Sequence, residues 1–147
     1  MIHSTAIIGE NVKLESGVEI GPYSFIDGNI TIGKNTKIHA SVSIVGNTTI
    51  GENNIIFSFC SIGSIPQDLK YCGEETYLKI GDSNTFREHC TVNTGTEGGG
   101  FNTIIGNGSL FMTGAHIAHD CIVGNNVIMA NQATLGGHVV IENNAVI

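Results

Sequence analysis

Over most of the chain every sixth position is apolar. From Ile2 the series runs Ile8, Leu14, Ile20, Ile26, Ile32, Ile38, Ile44, Ile50, Ile56 and Ile62, eleven aliphatic side chains at one fixed spacing. The register returns at Ile80, Phe86 and Val92. It slips by one residue and runs again through Ile105, Phe111, Ile117, Val123, Met129, Leu135, Ile141 and Ile147. Two residues before most of them stands a small or β-branched residue, such as Ala6, Val12, Val18, Ser24, Thr36, Val42, Ser109, Ala115, Val127, Ala133 or Val139. Three after it, Asn or Gly dominates: Asn11, Gly17, Asn29, Asn35, Asn47, Asn53, Gly108, Asn126 and Asn144.

A period of six is not the 3.6-residue period of an α-helix. It fits a short strand followed by a turn. Residues two apart on a strand share a face, so the aliphatic and the small residue both point inward. Asn and Gly accept the left-handed backbone that a tight corner needs. Hexads repeated in this way stack as a parallel β-helix, each coil burying its aliphatics against the next at roughly 4.8 Å. At about 1.5–3 kcal/mol per buried aliphatic, that column is the main source of stability. Two stretches break the pattern: residues 64–79, with Gln67, Asp68 and Lys70, and residues 98–104, opening with Gly98-Gly99-Gly100. Both are expected to project as loops from a single domain over residues 1–147.

Composition narrows the function classes. Six Lys and Arg stand against thirteen Asp and Glu, giving a net charge of −7 with no basic stripe. Nucleic-acid binding is therefore not expected. No apolar run approaches the ~20 residues of a membrane span, and no signal-peptide layout opens the chain. Of four cysteines, Cys60, Cys90 and Cys121 occupy the small inward slot and Cys72 lies in the first loop. Free thiols in a reduced, cytoplasmic protein are expected.

Departures from the repeat mark candidate chemistry. The corner slot holds His89 after Phe86, Asp120 after Ile117 and His138 after Leu135. In Ala115-His116-Ile117-Ala118-His119-Asp120-Cys121, the inward slots take Ala115, Ile117 and Cys121. His116 and Asp120 are then expected to face out. An imidazole beside a carboxylate is a proton-transfer unit, because the carboxylate fixes the tautomer and stabilises the cation. Gly137 lies eighteen residues after His119 and so stacks beside it one coil later, with its backbone N–H free to act as an oxyanion donor.

The loop Gln67-Asp68-Leu69-Lys70-Tyr71 with Gly73-Glu74, the His116–Cys121 segment and Gly136-Gly137-His138-Val139 resemble the UDP-N-acetylglucosamine acyltransferases of lipid A biosynthesis, of the hexapeptide-repeat acyltransferase family. Arg87-Glu88 and Gly98-Gly99-Gly100 fit the same pattern. The resemblance implies an all-β, left-handed parallel β-helix. It also implies transfer of a 3-hydroxyacyl chain from acyl carrier protein to the 3-position of UDP-N-acetylglucosamine, with no cofactor or metal. His119 would be the general base, Asp120 its orienting carboxylate and Gly137 the oxyanion donor. Asp68, Lys70, Gln67, His116 and His138 would contact substrate. A bare prism offers no concave surface, so a homotrimer is expected, with Asp68 and Lys70 facing His119 of a neighbour. Thr94 stands where many relatives carry a basic residue. The chain ends at Ile147 in mid-hexad, and the resemblance implies further coils and a helical domain, so a truncated chain is expected. Two alternatives come from other classes. One is a zinc site on His116, His119 and His138, as in hexapeptide-repeat carbonic anhydrases. The other is a β-helix scaffold without catalysis.

Overall fold

The computed structural model describes residues 1–147 as a left-handed parallel β-helix. Its strands are short because the chain turns a corner after each inward aliphatic. They stack coil on coil into three faces, parallel throughout. The first face runs from Glu19–Ile20 through Lys37–Ile38, Ile55–Ile56, Thr85–Phe86 and Leu110–Phe111 to Ile128–Met129. The second contains Ile7–Ile8, Ser61–Ser64, Thr91–Asn93, His116–Ile117 and Thr134–Leu135. The third contains Val12–Leu14, Tyr77–Ile80, Asn102–Ile105, Ile122–Val123 and Val140–Ile141. Two eight-residue strands, Phe25–Ile32 and Ser43–Ile50, cross from the second face to the third without a break.

The inward column is the core. Ile26, Ile44, Ile62, Val92 and Ile117 stack in register along the second face and are almost wholly buried. Phe86 and Phe111 replace the aliphatic on the first face and stack with ring centroids 4.7 Å apart. Cys60, Cys90 and Cys121 are buried and Cys72 is exposed, all as free thiols. Each buried thiol points at a backbone carbonyl of the following coil, as Cys121 Sγ does at Gly136 O, 3.1 Å away. Burial pushes the Cys121 thiol up from its ordinary value.

The three edges differ. Between the third and first faces, Gly17, Asn35, Asn53, Ser83, Gly108, Asn126 and Asn144 all take φ between 54° and 75°. Between the first and second faces, Tyr23, Ser41, Phe59, His89, Gly114 and Gln132 do the same, with φ from 58° to 75°. In the first coils the remaining edge departs from the pattern read in the sequence, which returns only at Asp120 and His138. Asn11 is not left-handed, and Asn29 and Asn47 lie inside the two long strands. There the bend falls on Gly28 and Gly46, with φ of 135° and 72°. Residue-by-residue pairing from Phe25↔Ser43 to Ile32↔Ile50 carries the ladder through this corner, and a tight turn would break it.

Both insertions leave from this same edge. The second-face spacing widens from 18 residues to 30 between Ile62 and Val92 and to 25 between Val92 and Ile117, yet these residues stay paired as neighbours. The first loop spans residues 65–76, and the strand resumes at Tyr77, earlier than the repeat suggested. The second spans residues 94–101 and contains a 3₁₀ turn at Glu97–Gly99. No helix is long and apolar enough to cross a membrane.

One row of inward slots is polar. Asn54 Nδ2 donates to Gly81 O at 2.9 Å, and Asn84 Nδ2 donates to Gly106 O at 2.9 Å. The oxygens accept in turn: Asn54 Oδ1 from the Asn84 N–H and Asn84 Oδ1 from the Ser109 N–H, each at 2.9 Å. Both asparagines are wholly buried with these bonds made, which offsets the cost of removing an amide from water.

Candidate active site

His119, Asp120 and His138 sit on the edge that carries the loops, on two successive coils. Asp120 and His138 hold left-handed corners at φ 61° and 64°. The His138 N–H donates to the His119 carbonyl at 3.0 Å, which locks the coils together here. His119 Nδ1 lies 2.8 Å from Asp120 Oδ2. An ionised carboxylate only accepts, so Nδ1 carries the proton and Nε2 presents a lone pair. The His119 and His138 rings meet edge to face with centroids 5.0 Å apart, and His138 Nε2 is 3.7 Å from Asp120 Oδ2.

Asp120 does not face out, as the repeat suggested. Its side chain is 1% exposed, because the second loop folds over it. The Thr96 N–H donates to Oδ1 at 2.7 Å and the Thr96 hydroxyl donates to Oδ2 at 2.5 Å. Gly99 packs so closely that a Cβ there would collide with the carboxylate. The Asp120 N–H donates to Thr103 Oγ1 at 2.9 Å. Burial alone would push the Asp120 carboxyl up. The two Thr96 donors, with His119 and the imidazole of His138, outweigh it and hold the group below the usual carboxylate range.

Gly137 lies directly against His119. A Cβ at Gly137 would collide with Cε1 and Nε2 of the imidazole. Glycine is needed here for that close approach rather than for a left-handed backbone.

The first loop curls back along the same edge. Asp68, Lys70, Tyr71 and Glu74 line a cleft of about 260 Å³ with Thr96, Glu97, Gly98 and His138 of the same chain. The single chain therefore has a concavity of its own, in which Asp68 and Lys70 share a lining with His138 but not with His119. The physical reason is that both insertions spring from one edge. Within the loop, Asp68 Oδ1 accepts from the Lys70 N–H at 3.0 Å, and the Tyr71 hydroxyl donates to Glu74 O at 3.1 Å. Gln67 is exposed and does not line the cleft.

His116 stands apart, half-buried on the second face, with Nδ1 2.7 Å from Thr91 Oγ1. Burial lowers its proton affinity. The group of donors that converges within 4.8 Å is His119, Asp120 and His138, not the three imidazoles of the zinc alternative. Both Asp120 oxygens in that group are already engaged by Thr96 and His119. Arg87 lies over the Phe57 ring, 4.6 Å from its centroid, and pairs with Glu88 at 3.1 Å; Phe57 follows the first-face strand Ile55–Ile56. Thr94 is buried, accepting a hydrogen bond from the Thr76 hydroxyl at 2.9 Å. Reading the sequence missed Thr96 and Thr103. Their only signal was position, since both lie in or beside an insertion on the same edge, one coil before His119 and Asp120.

The bacterial transferase hexapeptide (six repeats) family matches residues 102–137. The chain is 49% identical over 141 residues to the acyl-[acyl-carrier-protein]–UDP-N-acetylglucosamine O-acyltransferase of Thermodesulfovibrio yellowstonii, covering 96% of this chain and 55% of that protein. It is also 49% identical to the like-named protein of Herminiimonas arsenicoxydans, covering 97% of this chain and 54% of that one. The solved structure of LpxA from Acinetobacter baumannii matches with a TM-score of 0.96 and 47% identity over 99% of this chain and 56% of that chain. LpxA from Bacteroides fragilis, a UDP-N-acetylglucosamine acyltransferase, gives a TM-score of 0.96 and 43% identity over 99% of this chain and 57% of that chain. The chain spans about half the length of the curated relatives it matches. Along nearly its whole length the chain is similar in sequence and fold to the matched half of these UDP-N-acetylglucosamine acyltransferases.

Proposed function

We propose that this chain is the catalytic β-helix of an acyltransferase that moves a 3-hydroxyacyl chain from acyl carrier protein to the 3-position of UDP-N-acetylglucosamine in lipid A biosynthesis. The observation that carries the reading is the His119–Asp120 pair with Gly137 packed against the imidazole. The names of its relatives support the substrates.

In this mechanism Nε2 of His119 takes the proton from the sugar 3-hydroxyl as its oxygen attacks the thioester carbonyl. The Gly137 N–H donates to the oxyanion that forms. Asp120, held ionised, stabilises the imidazolium. Collapse of the tetrahedral intermediate breaks the carbon–sulfur bond, and the imidazolium returns its proton to the departing thiolate of the carrier. Both substrates are bound together, so no acyl-enzyme forms. The Lys70 ammonium suits a phosphate of the nucleotide, with Asp68 beside it in the cleft. His138 lines that cleft, and Gln67 and His116 are outer contacts. The protein acts in the cytoplasm as a homotrimer.

The test is transfer of a radiolabelled 3-hydroxyacyl chain from carrier protein to UDP-N-acetylglucosamine, on the 147-residue chain and on the same chain extended to the relatives' length. Product from either form, lost on His119→Ala, is the expected result. No product from a folded trimer of either form would leave the scaffold reading in its place. Sedimentation that shows an active monomer would remove the trimer.

A further inference from the structure

The second loop bonds in two directions. Toward the edge, Thr96 fills both oxygens of Asp120 and Gly99 packs against the carboxylate. Toward the first loop, the Thr94 N–H donates to Ser64 O at 3.0 Å, and Asn93 Nδ2 donates to Ile65 O at 3.2 Å. The Gly95 N–H donates to Tyr77 O at 3.2 Å, and the Tyr77 N–H donates to Phe101 O at 2.9 Å. The loop that reaches Asp120 is thus fastened at its base to the loop that carries Asp68 and Lys70.

A corner aspartate has no packing of its own to choose a rotamer. Elsewhere the corner side chains are exposed, as at Asn35, Asn53 and Asn126. At Asp120 the carboxylate is buried and receives three donors, two of them from Thr96. We infer that Thr96 is the positioning residue of the His119–Asp120 pair: its N–H and hydroxyl aim Oδ2 at Nδ1 of His119 and so leave Nε2 as the basic nitrogen. The catalytic meaning of this inference rests on the acyltransferase reading; the geometry it asserts does not.

The experiment separates the two. Asp120 carboxyl carbon and His119 ring nitrogens are followed by NMR across pH in the 147-residue chain, in the wild type, Thr96→Val and Thr96→Ser. Valine keeps the shape and the backbone N–H and removes the hydroxyl. The Asp120 midpoint should rise in Thr96→Val, the Nδ1–H signal of His119 should weaken, and Thr96→Ser should restore both. Unchanged titration and tautomer in Thr96→Val overturn the inference. If that variant does not fold, Thr96→Ala is read by the same criteria. In the transfer assay, Thr96→Val should lose roughly tenfold or more in rate, the scale of one hydrogen bond to a charged group, and displace the pH profile. A shifted Asp120 with transfer undiminished overturns the positioning role. A shifted Asp120 in Thr96→Val, beside a wild type that transfers nothing at either chain length, overturns the acyltransferase reading alone.

Discussion

The imidazole of His119 occupies the space that a side chain on Gly137 would need, one coil along the prism. The base candidate and the oxyanion candidate are therefore placed by one packing contact. Gly137→Ala should push the ring off the Asp120 carboxylate. The expected outcome is a folded protein with transfer lowered by ~10²-fold or more, the range for a displaced general base. Circular dichroism checks the fold, and an Ala variant with full activity would dissociate the contact from the chemistry.

Removing the imidazole itself should cost ~10²–10⁴-fold in transfer and abolish the rising limb of the pH–rate profile. His119→Ala is compared with His116→Ala and His138→Ala. Asp120→Asn, which keeps the corner, should lose less. If His138→Ala alone loses activity, the base is the exposed imidazole rather than the one paired to Asp120.

Acid stability follows from two depressed groups. The Asp120 carboxyl titrates below its ordinary value near ~3.9, so its stabilising contribution is complete above that pH. It is lost as pH falls through the lower folded value. Burial lowers His116 below its ordinary value near ~6.5, so the unfolded chain takes up the proton first. Stability should start to fall below about that pH. Urea midpoints measured from pH 7.5 to 3 should show both declines. His116→Gln should flatten the upper one and Asp120→Asn the lower.

The buried asparagine ladder predicts an inequality. Asn84→Ala strips Gly106 O and the Ser109 N–H of their partners. With roughly 1–3 kcal/mol for each of the two orphaned groups, the loss should reach about 2–6 kcal/mol. Asn35→Ala, at an exposed corner with φ 57°, should cost only about 1 kcal/mol. Equal urea midpoints for the two variants would show that the ladder adds nothing.

The repeat made the inward column and two of the three edges readable, because both depend on residues within one hexad. Ile44, Ile62 and Ile117 needed no knowledge of distant partners to be placed inside. The spacing did not carry handedness, which came from the resemblance alone. Nor could the burial of Asp120 be read, because it depends on Thr96, twenty-four residues away and outside the repeat. The same holds for the cis cleft, which arises only when two insertions of different length return along one edge. Asn54 and Asn84 occupy slots that the pattern assigns to small or β-branched residues. Only their partners on neighbouring coils make them acceptable inside.

Hanging both insertions from one edge separates two kinds of mutational freedom. The paired registers of Ile62, Val92 and Ile117 are indifferent to how many residues intervene at that edge. Lengthening or shortening either loop reshapes the wall of the cleft without re-threading a coil. The prism can thus be conserved as a frame while substrate preference drifts, and deletions confined to residues 65–76 should change what is bound long before they change whether the chain folds.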